Sequence, residues 1–186
     1  MKVAMIFGKG LDGCGVQRGA VEIATWAQRN DVKFDIYYMK GRSFARAKGH
    51  SMPSEPIEFK HTEIPSLVEK LNSEYDIVIL NSYPSSKHDP QAIISFYENL
   101  VKKIENPVLV GMMHEIKKAN IDAIPMILPT LNYCDIVYNF SEKTFFSNEF
   151  SSYFSSKVLG ERTKRFKMWI DLNEMKKNYR DVYSLK

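Results

Sequence analysis

The chain has 186 residues, 44% of them hydrophobic and 26% charged, with nine glycines and eight prolines. That composition excludes disordered, collagen-like and low-complexity chains, and the length suits one domain with a substantial core. The net charge of +4 permits an anionic partner without demanding one. Cys14 and Cys134 form no metal-ligand spacing, so neither a disulfide framework nor a zinc site is expected. No apolar run approaches the roughly 18 residues of a membrane helix, and the N-terminus does not read as a signal peptide. A soluble intracellular protein is the expectation.

Lys2 to Phe7 is, after its one charge, a continuous apolar run suited to a strand buried on both faces. A glycine-rich loop, Gly8 to Gly15, follows. Val16 to Asn30 carries apolar residues at helical spacing. Lys33 to Met39 reads as the second strand and residues 40 to 55 as a basic loop. Pro56 to Phe59 reads as a short third strand, Ile64 to Asn72 as a helix and Asp76 to Leu80 as the fourth strand. Asp89 is a good N-cap with Pro90 at the first helical position, which predicts a helix to about Ile104. Pro107 to Met113 is the fifth strand. A helix over Ile121 to Tyr133 is interrupted by Pro125 and Pro129. Asp135 to Phe140 is the sixth strand. Residues 141 to 156 carry weak helical signal, Lys164 to Trp169 a last strand and Asp171 to Tyr183 a last helix.

This alternation predicts an α/β fold, a doubly wound, Rossmann-like parallel sheet in the order 3-2-1-4-5-6. The binding crevice then lies at the carboxyl ends of strands one and four, fed by loops 8–15, 40–50, 81–88 and 113–118.

Gly8, Gly10 and Gly13 match G-x-G-x-x-G between a strand and a helix. A dinucleotide site wants an acid at the end of strand two, but Tyr37, Tyr38, Met39 and Lys40 stand there and Asp35 lies inside the strand. An NADP site therefore stays only as a weaker alternative. The glycines also serve a purely structural turn, or a backbone-lined surface for a phosphate or sugar at a helix N-terminus.

Gly10 to Val16 (GLDGCGV) resembles the opening of the T-even bacteriophage DNA α-glucosyltransferase family. Lys40 to His50 (KGRSFARAKGH), Asn81 to Pro84 and Val108 to Glu115 (VLVGMMHE) resemble further segments of that family, in order. The resemblance implies the N-terminal half of a GT-B glycosyltransferase. It implies transfer of a sugar from a UDP-sugar such as UDP-glucose to 5-hydroxymethylcytosine in double-stranded DNA, with retention. No cofactor or metal is implied, and the expected location is the cytoplasm of an infected bacterial host cell. Residues 1–186 correspond to the acceptor-side domain, and the donor-binding domain of the family lies beyond the resemblance. Transfer by these residues alone is therefore not expected.

His114 and Glu115 are the candidate catalytic pair, for a proton or a sugar hydroxyl. Glu115 stands where the family's pattern has aspartate, and Ile116 where it has histidine. Gly13, Cys14 and Gly15 are candidate substrate-binding residues through their backbone amides. Lys40, Arg42, Phe44, Arg46 and Lys48 are candidate DNA contacts, with Phe44 placed to stack or wedge at a displaced base. Arg162, Lys164, Arg165 and Lys167 either continue that track or form ordinary surface. The late aromatics from Phe140 to Phe154 read as core, or in part as an interdomain face. A non-catalytic DNA- or partner-binding module of the same fold remains an alternative.

Overall fold

The computed structural model describes residues 1–8, 15–39, 54–82, 95–113, 133–139 and 163–165. The strands are β1 (Lys2–Phe7), β2 (Lys33–Met39), β3 (Ile57–Phe59), β4 (Ile77–Ser82), β5 (Val108–Met113), β6 (Ile136–Asn139) and β7 (Thr163–Arg165). The helices are α1 (Gly15–Arg29) and α2 (Ile64–Glu74), with a further helical segment over Ser95–Lys103. The strands form one parallel sheet in the order β3-β2-β1-β4-β5-β6-β7. The expected 3-2-1-4-5-6 order is thus observed, with β7 added beside β6.

The two-residue period of each strand divides the core into two layers. Val3, Met5 and Phe7 of β1 join Phe34 and Ile36 of β2 and Ala20, Ala24 and Ala27 of α1 on one face. Ala4 and Ile6 join Tyr37, Met39, Val78, Leu80 and Leu109 on the other, under Leu67, Val68 and Leu71 of α2. Phe96, Leu100 and Val101 complete that second layer. Because β1 is covered on both sides, its sequence is continuously apolar rather than alternating.

Local chemistry sets the ends of these elements. α1 closes with Asp31 in the left-handed region, φ 56°. Val32 N–H donates to Ala27 O at 2.9 Å and Asp31 N–H to Gln28 O at 3.3 Å. This is the Schellman arrangement with aspartate in the position glycine usually takes. Pro65 sits in the first turn of α2, and Lys60 N–H donates to the Glu63 carboxylate at 2.8 Å just before it. The sequence Asp-Ile-Val occurs at residues 76–78 and again at 135–137, each time at the amino end of a strand. Asp76 Oδ2 accepts from Lys2 N–H at 2.7 Å, and Asp135 Oδ2 accepts from Leu109 N–H at 2.8 Å. Each aspartate thereby fastens the start of the neighbouring parallel strand.

The expected regular helix to Ile104 differs in its described part. Ser95–Leu100 is a wide π turn, and Val101–Lys103 is a tighter 3-10 turn. Phe96 and Val101, five residues apart, are both buried in the same layer. A wide turn brings an i, i+5 pair onto one face, which the ordinary helical period does not. The expected helix over 121–133, apart from Tyr133, that over 171–183, and the segment 141–156 with its aromatics lie outside the described residues. No helix among the described residues is long and apolar enough to cross a membrane.

Candidate functional site at the carboxyl edge of the sheet

All seven strands run the same way, so their carboxyl ends share one edge: Phe7, Met39, Phe59, Ser82, Met113, Asn139 and Arg165. Chain order reverses between β1 and β4. From β1 the sheet grows outward to β2 and β3, and from β4 outward to β5, β6 and β7. The covering helices follow the same division, α1 on one face and α2 with Ser95–Lys103 on the other. At such a point neighbouring strand ends send their connections to opposite faces, which opens a crevice.

The β1–β4 ladder is regular from Val3 opposite Ile77 to Ile6 opposite Leu80. It then shifts, and Phe7 stands opposite Ser82. Asn81 is therefore an extra residue in β4, a bulge located at the switch point itself. Asn81 is only 2% exposed, and it has an interaction partner. Asn81 falls within one of the segments that resemble the family, but nothing in the sequence marks its role, because a register shift has no signature in a single strand.

Of the candidate site residues, the structure describes the backbone of Gly15, the first residue of α1. Gly13, Cys14, Lys40, Arg42, Phe44, Arg46, Lys48, His114 and Glu115 lie outside the described residues. What is described is the frame from which they continue. β1 ends at Phe7, ahead of the glycine-rich segment. β2 ends at Met39, ahead of Lys40, and β5 ends at Met113, ahead of His114. Among the described residues no cluster of His, Cys, Asp and Glu could hold a metal ion.

Among the described residues the most strongly perturbed ionisable group, Tyr75, lies elsewhere, beside the amino half of the sheet. Tyr75 O–H donates to Asp35 Oδ2 at 2.6 Å and shares a second hydrogen bond, 2.7 Å, with the Tyr37 hydroxyl. Lys2 Nζ donates to Glu74 Oε2 at 2.6 Å and lies 4.3 Å from the centre of the Tyr75 ring. Burial, reinforced by the bond to Asp35, holds the Tyr75 phenol far above the ordinary tyrosine range. The hydrogen bond from Lys2 holds the Glu74 carboxyl below its ordinary value, and the same bond raises Lys2. This network ties α2 to β1 and β2 at the edge opposite the crevice. Its perturbed groups report structure rather than chemistry. Asp35 is occupied there, four residues short of the end of β2, where a dinucleotide ribose would need its acid.

Comparison with known proteins gives this edge its context. The family model for DNA α-glucosyltransferases matches residues 14–159. The chain belongs to that family. The DNA α-glucosyltransferase of Enterobacteria phage T4 is 25% identical over 148 residues, which are 79% of this chain and 37% of the relative. A solved α-glucosyltransferase in complex with UDP-glucose and DNA containing an abasic site superposes with a TM-score of 0.78 at 21% identity. It covers 94% of this chain and 44% of that one. Another, in complex with UDP, gives a TM-score of 0.76 at 22% identity, over 92% and 45%. A third, with UDP and a 13-mer DNA containing an HMU base, gives 0.72 at 21%, over 92% and 43%. At these identities the superpositions establish the fold, a Rossmann-like half of the GT-B architecture. The chain spans less than half the length of each of these relatives.

Proposed function

We infer that these residues form the acceptor-side domain of a phage DNA glycosyltransferase. It transfers a sugar, with retention, from a UDP-sugar to 5-hydroxymethylcytosine in double-stranded DNA, within the infected host cell. The family match across residues 14–159, on a sheet whose switch point matches the expected crevice, is the observation that carries this reading. The solved relatives' complexes with UDP-glucose, UDP and DNA support the two substrate classes.

The roles divide by strand end. The segment after β1 offers the amides of Gly13, Cys14 and Gly15 at the start of α1. Such amides suit the charge that develops on a departing diphosphate. Lys40, Arg42, Arg46 and Lys48 after β2 supply phosphate contacts, and Phe44 stacks or wedges at the displaced base. His114 and Glu115 after β5 orient the acceptor hydroxyl and move its proton. A donor-binding half completes the site, because transfer needs both reactants held in register.

The test is incubation of the full-length protein with hydroxymethylated duplex DNA and a panel of UDP-sugars, read by mass spectrometry of the nucleosides. Hexosyl-modified hydroxymethylcytosine is expected. DNA binding with no transfer from any UDP-sugar would favour the non-catalytic module instead.

A further inference from the structure

We propose that Asn81 is a positioning residue for the acceptor site. Through the bulge it occupies, it sets where β4 hands the chain over relative to the end of β1. The proposal rests on the glycosyltransferase reading and deepens it.

Three observations converge on this residue. The pairing of β1 with β4 is uninterrupted through Ile6 and Leu80 and shifts only at the last step, so the extra residue falls at the carboxyl edge and not in mid-sheet. Those two strands are the ones between which chain order reverses. The residue inserted there is polar and 2% exposed, one of two buried polar residues among the described residues, where Leu80 before it and Phe7 at the end of β1 are apolar and fully buried. A bulge that served only to end the ladder could carry any small or apolar side chain. A buried amide instead needs fixed partners, and so holds the local backbone in one arrangement.

The consequence is geometric. One inserted residue adds about 3.3 Å of strand and a local twist. It therefore fixes the offset between Phe7, which leads to the glycine-rich segment, and Ser82, the last residue of β4. The segments that leave these two strand ends, 8–15 and 81–88, both feed the expected crevice, and misplacement of about 1 Å in such a site can cost on the order of 10² in rate.

The experiment measures kcat and KM in the full-length protein with hydroxymethylated DNA and a UDP-sugar, for the parent, Asn81→Ala and Asn81→Ser. Thermal unfolding is measured for each. Asn81→Ala is expected to fold and to lower kcat by on the order of 10². The KM for the UDP-sugar should stay within about threefold, since uniform donor binding is untouched. Asn81→Ser, which keeps a hydrogen-bonding group, is expected to recover part of the loss. A folded Asn81→Ala with parental kcat overturns the proposal, and so does failure of both variants to fold, which would make the role structural. A parent that transfers no sugar overturns the glycosyltransferase reading and this proposal with it.

Discussion

Replacing Tyr75 with phenylalanine tests how the sheet is locked to α2. The substitution removes one oxygen and keeps the ring, so no cavity opens. It deletes the hydrogen bond to the Asp35 carboxylate at 2.6 Å and the bond shared with the Tyr37 hydroxyl at 2.7 Å. A bond to a charged acceptor is worth about 1.5–3 kcal/mol, and a buried hydroxyl left unpaired costs about 1–3 kcal/mol. Tyr37 is 2% exposed, so water does not readily replace the lost partner. The two effects overlap, and a loss of about 2–4 kcal/mol is expected at pH 7. For a chain of this size that lowers Tm by roughly 5–15 °C. The assay is urea unfolding followed by circular dichroism. The pH dependence gives a second check. In the folded state the Tyr75 proton is held above the ordinary tyrosine value. The folded state therefore binds more protons above about pH 10, and stability falls as pH rises through that range. Tyr75→Phe lacks this contribution, so its deficit against the parent should shrink from about pH 10 upward. A variant within about 0.5 kcal/mol of the parent at pH 7 would refute the reasoning, because that is the scatter of an inconsequential surface change.

Three further outcomes follow. Asp135→Ala, which frees Leu109 N–H, should cost about 1–2 kcal/mol in urea unfolding, since the bond is partly buried and its acceptor charged. Arg42→Ala with Arg46→Ala should flatten the plot of log K against log salt for duplex DNA by up to about two, because each phosphate contact contributes about 0.9; an unchanged slope would leave residues 40–50 a solvated loop. His114→Ala should lower turnover by roughly 10² to 10⁴ with little change in DNA affinity, and Glu115→Asp by about 10² through the shortened reach. Parental turnover in either variant would remove that residue from the mechanism.

Much of the sheet was legible because its strands are buried on both faces. Val3–Phe7 and Ile77–Leu80 are continuous apolar runs, and the alternation of runs with amphipathic segments specifies parallel crossovers. The strand order followed from that alternation and the rule for doubly wound sheets. The π turn at Ser95–Leu100 was not legible, because the choice between i+4 and i+5 closure is made by packing of Phe96 and Val101 beneath it. Neither was the bulge at Asn81, which is a relation between β4 and β1 and not a property of either. The Tyr37–Tyr75–Asp35 network was likewise hidden, since its members are about 40 residues apart and meet only after the sheet forms. The candidate site was legible through resemblance more than through periodicity. Loop residues follow no hydrophobic period, and Gly13, Arg42 and His114 were singled out by short motifs at strand ends.

The central claim is acceptor-side function in sugar transfer to DNA, and one measurement addresses it most directly. The full-length protein is mixed with UDP-glucose and duplex DNA carrying 5-hydroxymethylcytosine, with unmodified cytosine DNA as the control, and the nucleosides are resolved by mass spectrometry and NMR. The account predicts a hexosyl adduct on hydroxymethylcytosine alone, with the anomeric configuration of the donor retained. An inverted product would contradict the proposed stereochemistry. Absence of any adduct with every UDP-sugar, from a folded protein that still binds DNA, would contradict the transfer itself.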